Sequence, residues 1–139
     1  MHSTILLFVL SFLMMSSPAN AETIKLAGRE LETELSDALQ IANGPTTIIL
    51  PSGHFSFKNE VIIDRPGITL QGQGMGKTIL SFKQQKAGAQ GIIGTKDFIT
   101  LENFAVEDTH GNAVKILGAN HVVFRGLRIR WTRGASKRN

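Results

Sequence analysis

Carboxylate, imidazole and guanidinium side chains occur together in two segments near the C-terminus. Glu107, Asp108 and His110 lie close together in sequence, and Arg130 lies at the end of the next apolar segment. A carboxylate beside an imidazole can transfer protons, and carboxylate oxygens can bind a cation. Asp108, His110 and Arg130 are therefore the candidate catalytic residues. The alternative is that Asp108 and His110 belong to an ordinary polar turn while Glu107 and Arg130 form an ion pair.

Three arginines form the candidate substrate-binding group. Arg125, Arg128 and Arg130 occupy outward positions of a predicted strand, and such a row could hold an anionic polysaccharide through forked hydrogen bonds. Alternatively, Arg125 and Arg130 pair with Glu102 and Glu107, which leaves only Arg128 without a partner. Binding of sugars by aromatic stacking is poorly supported, because the chain has no tyrosine and one tryptophan.

Several other chemistries are excluded by residue type or spacing. Gly72 and Gly76 are separated by three residues, whereas a phosphate-binding loop needs four and a following helix. The residues that follow, 79–82, have a strand pattern, so the glycines indicate a tight corner. His54 and His121 are isolated and are interpreted as turn residues. No cysteine is present and no spacing matches a zinc site, so no metal or cofactor is predicted.

The positive charge of the chain is concentrated at its C-terminus. The net charge is +4, and six basic residues and no acidic residue follow His121. The positive charge therefore belongs to the segment 121–139 rather than to a basic binding face. Nucleic acid is not predicted as a partner.

The segment 1–21 has the pattern of an export signal. An apolar run from Ile5 to Met15 is too short to span a membrane, and Ala19 and Ala21 have the spacing of a cleavage site. The alternative is an uncleaved anchor. We expect cleavage after Ala21, a mature chain of residues 22–139 without a membrane span, and a periplasmic or extracellular location.

A single amphipathic helix is predicted before the strands. Its apolar residues share one stripe over residues 31–42, and Asn43, Gly44 and Pro45 end it. Such a short helix must cover another part of the protein. Residues 22–45 are therefore predicted to form an N-terminal cap.

Residues 46–139 are predicted to form short strands that repeat along the chain. The apolar runs are three to five residues long, at 47–50, 61–63, 68–70, 78–82, 91–93, 98–101, 113–117 and 121–124. When the sequence is aligned with itself so that residue 99 lies over residue 122, segment 99–107 matches segment 122–130, with apolar residues over apolar residues. This is the shorter shift of the repeat. A longer shift places a third copy, which begins at Gly67, over the copy that begins at Phe98, and the extra length is assigned to the loop at 83–90. This repeat predicts an all-β parallel solenoid of about four rungs, whose last rung is incomplete.

Three segments resemble right-handed parallel β-helix proteins of the pectate-lyase-like superfamily. These are the helix with the turn that follows it (35–55), the glycine-rich rung (68–80) and the rung at 104–114. The resemblance implies a right-handed β-helix, and members of this superfamily are usually longer. It therefore implies that the chain is the N-terminal part of such a protein. Calcium is implied by the resemblance alone.

The resemblance leaves more than one function open. One is a polysaccharide lyase or uronate epimerase acting on acidic glycans, which removes the proton next to a uronate carboxylate. Another is a non-catalytic binding or surface scaffold, and a third is an inactive truncated product. The uncapped C-terminal rung also predicts self-association, because an open parallel edge can pair with other chains.

Overall fold

The computed structural model describes residues 21–133, which form a solenoid of parallel strands with one helix at its start. Apart from Ala21, the predicted signal peptide lies outside the described residues, as do Lys137 and Arg138. No helix within the described range is long and apolar enough to cross a membrane. The elements are β1 (Glu22–Lys25), α1 (Leu31–Ile41), β2 (Thr46–Ile49), β3 (Gly53–Ser56), β4 (Val61–Ile63), β5 (Ile68–Gln71), β6 (Thr78–Ser81), β7 (Ile92–Gly94), β8 (Ile99–Glu107), β9 (Val114–Ile116) and β10 (Val122–Arg130).

The strands stack on three faces, and every pairing is parallel. The first face contains β1, β2, β5 and the first halves of β8 and β10. The second contains β3, β6 and the second halves of β8 and β10. The third contains β4, β7 and β9. The chain thus makes about four turns, as the repeat predicted.

The predicted register of the repeat is confirmed. Ile99 pairs with Val122 and Glu107 pairs with Arg130, as the shorter shift of the sequence predicted. Thr69 pairs with Thr100, as the longer shift predicted. Residues separated by one period are therefore neighbours on adjacent turns, about 4.8 Å apart.

The predicted strand lengths were wrong in two places. β8 and β10 each have nine residues and continue from the first face to the second. A single residue makes each corner, Asn103 in β8 and Gly126 in β10, both with φ of 60°. Asparagine and glycine tolerate this left-handed conformation best, so the strand turns without a loop. β1 and β3 were not predicted as strands, and β1 lies within the segment predicted as the cap.

The extra length of the longer turn is divided between two loops, not confined to 83–90 as predicted. The first loop, residues 72–77, connects β5 to β6. At the same corner of the next turn there is no loop, because Asn103 alone makes the corner. The second loop, residues 82–91, connects β6 to β7. Gly72 is the tight corner, because a Cβ there would lie 2.2 Å from the Asn103 carbonyl oxygen. Thr78 begins a strand, so no helix follows the glycines.

Inward side chains of successive turns form the core, and α1 covers its first turn. Ile48, Leu70 and Leu101 stack in register and are fully buried. The buried stripe of α1 is Leu31, Leu35, Ala38 and Leu39. Burial of one such leucine contributes about 1.5–3 kcal/mol, which a short helix needs in order to persist.

The N-terminus of α1 is stabilised by a side chain within the helix. The Glu34 carboxylate accepts hydrogen bonds from the backbone amides of Glu30, Gly28 and Ala27. These bonds, that from Glu30 foremost, lower the pKa of Glu34. The carboxylate thereby satisfies amide groups near the start of the helix.

Candidate functional site

The candidate site lies on the outer surface of the second face. In β6 and β8, Leu80 and Val106 point into the core, so their neighbours in each strand point outwards. Two outward columns result and run parallel to the solenoid axis. One contains His54, Ile79, Ala105 and Arg128, and the other contains Ser56, Ser81, Glu107 and Arg130.

Glu107 is the centre of this surface. Its side chain is only 3% exposed although it lies on the outer side of the sheet. Arg130 Nε donates a hydrogen bond to Glu107 Oε2, and Arg128 Nη2 lies 3.9 Å from the same oxygen. His54 Nε2 lies 3.8 Å from Oε1. A buried carboxylate needs such partners, because the loss of its hydration is costly.

The two guanidinium groups carry two positive charges, and the single carboxylate of Glu107 neutralises only one of them. The side chains of Arg128 and Arg130 are 34% and 51% exposed, so both can reach a ligand. Arg128 Nε is buried and has no hydrogen-bond partner among the described residues. The prediction that Arg128 alone lacks an acidic partner was therefore wrong, since both arginines face Glu107.

Arg125 is separated from the other two arginines. It precedes the corner at Gly126 and therefore lies on the first face, where its Nη1 is 3.1 Å from Glu102 Oε2. Both predicted ion pairs, Glu102–Arg125 and Glu107–Arg130, are thus present. The three arginines do not form one row.

Asp108 directly follows β8, has a φ of 57° and is held by Thr132. Its Oδ1 accepts a hydrogen bond from the Thr132 amide and its Oδ2 from the Thr132 hydroxyl, both at 2.7 Å. Burial raises the pKa of Asp108, but the Thr132 hydrogen bonds and the charges of Lys83 and Arg133 outweigh it and lower the pKa overall. Asp108 is therefore a stabilised carboxylate and a weak base.

His110 does not join the cluster around Glu107. It is exposed in the turn after β8 and forms no hydrogen bond or ion pair with another residue of the described range. Within the same turn, the Thr109 hydroxyl donates to the Gly111 carbonyl, and Trp131 Nε1 donates to the Thr109 carbonyl. The structure thus holds Asp108 and Arg130 in the outer surface and leaves His110 apart.

The interpretation of His54 as an isolated turn residue was wrong, whereas His121 lies in a turn as predicted, although it is not isolated. His54 lies in β3 beside Glu107, and sequence reasoning missed it. The register of β3 on β6 would have placed it there, but β3 itself was not predicted. His121 is in a turn with φ of 57°, and its ring stacks on Phe98 with centroids 4.8 Å apart.

The site does not fit a calcium ion. Among residues 21–133, no group of three or more His, Asp or Glu side chains could hold a metal ion. The two carboxylates present, Glu107 and Asp108, are already engaged by Arg130 and Thr132.

Comparison with known proteins identifies the fold. No protein-family model and no curated protein sequence matches the chain. Two solved structures match with a TM-score of 0.56 over 84% of this chain: a pectin methylesterase in complex with hexasaccharide VII, at 12% identity, and pectin methylesterase PemA from Erwinia chrysanthemi, at 10%. The chain matches 46% of the length of each. It therefore has a right-handed parallel β-helix fold similar to that of these two structures.

Proposed function

We propose that the chain binds an acidic polysaccharide on the outer surface of β3, β6, β8 and β10, with Arg128 and Arg130 as the carboxylate-binding residues. The observation that carries the proposal is the pair of partly exposed guanidinium groups around one buried carboxylate, Glu107. Guanidinium groups bind carboxylates through two parallel hydrogen bonds. The uronate carboxylates of an acidic glycan are ligands of this kind.

Glu107 holds the two arginines in place for this role. Because its carboxylate is buried beneath them, their charged ends are directed along the surface rather than free in solvent. Restriction before binding reduces the entropy lost when a ligand is held. A hydrogen bond to a charged group contributes about 1.5–3 kcal/mol, so the loss of either arginine should weaken binding measurably.

The comparisons support a sugar ligand at the level of the fold alone. One of the two similar structures is a pectin methylesterase in complex with a hexasaccharide. A solenoid of the same fold therefore binds an oligosaccharide. The outward columns of this chain run along the solenoid axis, a direction in which a linear polymer can extend.

Binding of oligogalacturonate by calorimetry at about 0.15 M salt tests the proposal. We expect the oligogalacturonate to bind the full chain, and we expect a neutral dextran oligosaccharide of equal length not to bind it. Arg128→Gln should weaken binding about tenfold, which corresponds to about 1.4 kcal/mol. Arg125→Gln is the matched control, since it removes the same charge from the first face. Equal losses in both variants would mean non-specific attraction and would reject the site.

A second candidate is a lyase or epimerase reaction at a uronate residue, favoured by the position of His54. Its imidazole lies 3.8 Å from Glu107 on the same surface as the arginines and is largely exposed. The arginines would neutralise the uronate carboxylate while His54 removes the proton from the carbon next to that carboxylate. In elimination the electron pair left by the proton forms a double bond to the neighbouring carbon, the bond from that carbon to the glycosidic oxygen breaks, and the oxygen takes a proton from water. In epimerisation a proton from water adds to the opposite side of the carbon, and His54 releases the proton that it took to solvent.

Ultraviolet absorbance and deuterium incorporation test this second candidate. Elimination forms an absorbing unsaturated uronate, and epimerisation in deuterated water places deuterium on the sugar. His54→Gln should abolish either signal while oligogalacturonate still binds. Absence of both signals from the unaltered chain would reject catalysis and leave the binding proposal intact.

We also propose that the chain acts outside the cytoplasm. The support is the apolar run from Ile5 to Met15 followed by small residues up to Ala21. An exported protein meets acidic glycans of surfaces and matrices, which agrees with the proposed ligand.

A further inference from the structure

A groove lies between α1 and β4, the first strand of the third face. Its volume is about 590 Å³, which is within the usual range of ligand sites. One wall is the flank of α1 that carries Asp37, and the other is β4 with Ile62 and Asp64. The helix therefore covers the end of the core but leaves space beside β4 for a short segment of chain.

The backbone of β4 is paired on one side only, since β7 is its sole partner among the described strands. The Val61 amide donates to the Gly91 carbonyl, and the Ile63 carbonyl accepts from the next turn in the same way, so both residues face β7. Alternate residues of a parallel strand face opposite sides, so the N–H and C=O groups of Ile62 face the groove. An extended peptide can add to a free edge of this kind through main-chain hydrogen bonds.

The side chains along this edge define the sequence of a matching segment. Val61 and Ile63 point into the core and are buried, whereas Ile62 points outwards and is 52% exposed. Glu60 and Asp64 flank Ile62 on the same outward side. Side chains opposite each other on neighbouring strands interact, so an added strand is favoured by an apolar residue beside Ile62 and basic residues on either side of it.

The charge of the groove also favours a basic ligand. Its lining contains one guanidinium group, that of Arg65, and four carboxylates, those of Glu32, Asp37, Glu60 and Asp64. None of the four carboxylates forms an ion pair with a basic side chain of residues 21–133. The Arg65 guanidinium donates to the Ala42 carbonyl at the end of α1. The groove therefore repels an acidic polysaccharide and attracts a cationic partner.

We infer that the groove binds an extended basic segment of a partner protein, which adds to β4 as a further strand. The outward residues of this segment are basic, apolar and basic in turn, opposite Glu60, Ile62 and Asp64. Its backbone supplies affinity and its alternate side chains supply specificity. This inference is independent of the proposed polysaccharide site, which lies on the second face.

Fluorescence anisotropy with the labelled peptide Lys-Thr-Val-Thr-Lys tests the inference, with the full chain at about 0.15 M salt. We expect saturable binding of this peptide and no binding of Glu-Thr-Val-Thr-Glu. Asp64→Asn should weaken binding about threefold, which is within the contribution of one exposed ion pair. Glu22→Gln is the matched control, since it removes the same charge from the first face, and it should leave binding unchanged.

Methylation of the peptide backbone distinguishes an added strand from attraction between charges alone. Only alternate amides of an added strand face β4, and methylation leaves the charge of the peptide unchanged. Methylation of one alternate set of amides should therefore weaken binding about tenfold, and methylation of the other set much less.

Three results would overturn the inference. The first is that the unmethylated peptide does not bind. The second is that the two methylated peptides, or Asp64→Asn and Glu22→Gln, lose binding equally, which would indicate non-specific attraction. The third is self-association of the unaltered chain that Asp64→Asn abolishes, which would indicate a second copy of the chain as the occupant of the groove.

Discussion

Arg130 donates a hydrogen bond from its Nε to Oε2 of Glu107, the residue directly below it on the preceding turn of the solenoid. The pair lies on the outer side of the sheet, yet the glutamate side chain is almost fully buried. A second pair with the same separation in sequence, Glu102–Arg125, is more exposed on the first face. The two pairs differ in burial but not in the separation of the partners in sequence. A comparison of the two therefore isolates the effect of burial on the strength of the ion pair.

The Glu107–Arg130 pair should be coupled more strongly than the Glu102–Arg125 pair. Exposed ion pairs contribute about 0.2–1 kcal/mol, whereas removal of a partner from a buried charge costs several times more. We expect a coupling energy of about 1–3 kcal/mol for Glu107→Gln with Arg130→Met. Double-mutant cycles from denaturant unfolding of both pairs measure it. Equal coupling in the two pairs would mean that the burial of Glu107 has no energetic consequence.

The corner at Asn103 should be sensitive to side-chain branching. Its φ of 60° is costly for a β-branched residue and easy for glycine. Asn103→Val should therefore lower the free energy of unfolding by about 1–3 kcal/mol, and Asn103→Gly by much less. Thr100→Val is a control in the same strand. A tolerated valine at position 103 would contradict the left-handed corner.

Asp108 should titrate below its ordinary value of 3.8, because the Thr132 hydrogen bonds outweigh the effect of burial on its pKa. A depressed pKa in the folded state stabilises the fold above the unfolded pKa, and this contribution is lost as the pH falls through the folded pKa. Thr132→Val should raise the pKa of Asp108 by removing one of these bonds. Carboxyl-carbon NMR titration of both proteins measures it, and an unchanged pKa would show that the hydroxyl has no effect.

Export should leave Glu22 as the first residue of the mature chain, because Ala19 and Ala21 have the spacing of a cleavage site. Mass spectrometry of the protein secreted by an exporting host checks this. Ala21→Asp, which disrupts the site, should retain the uncleaved chain. Intact Met1 on unaltered protein recovered from the cytoplasm would contradict export.

The contacts predictable from sequence are those separated by one constant period. Glu107 and Arg130 were paired correctly because parallel stacking in register turns one period of the repeat into direct contact. His54 and Glu107 are much farther apart in sequence, because one lies in the first turn and the other in the third. The second turn, between them, contains the long loops at 72–77 and 82–91. No constant period connects them, so their proximity depends on loop lengths that a repeat search does not provide. The nine-residue strands were missed for a related reason, since a corner made by one residue leaves no loop in the sequence.

The central proposal is that an acidic sugar binds on the second face, and NMR of the arginine side chains tests it most directly. The Nε–Hε signals of Arg125, Arg128 and Arg130 would be followed as oligogalacturonate is added to the full chain. We predict that the signals of Arg128 and Arg130 shift together and saturably while that of Arg125 stays in place. A shift of Arg125 alone, or equal small shifts of all three that disappear with salt, would contradict the account.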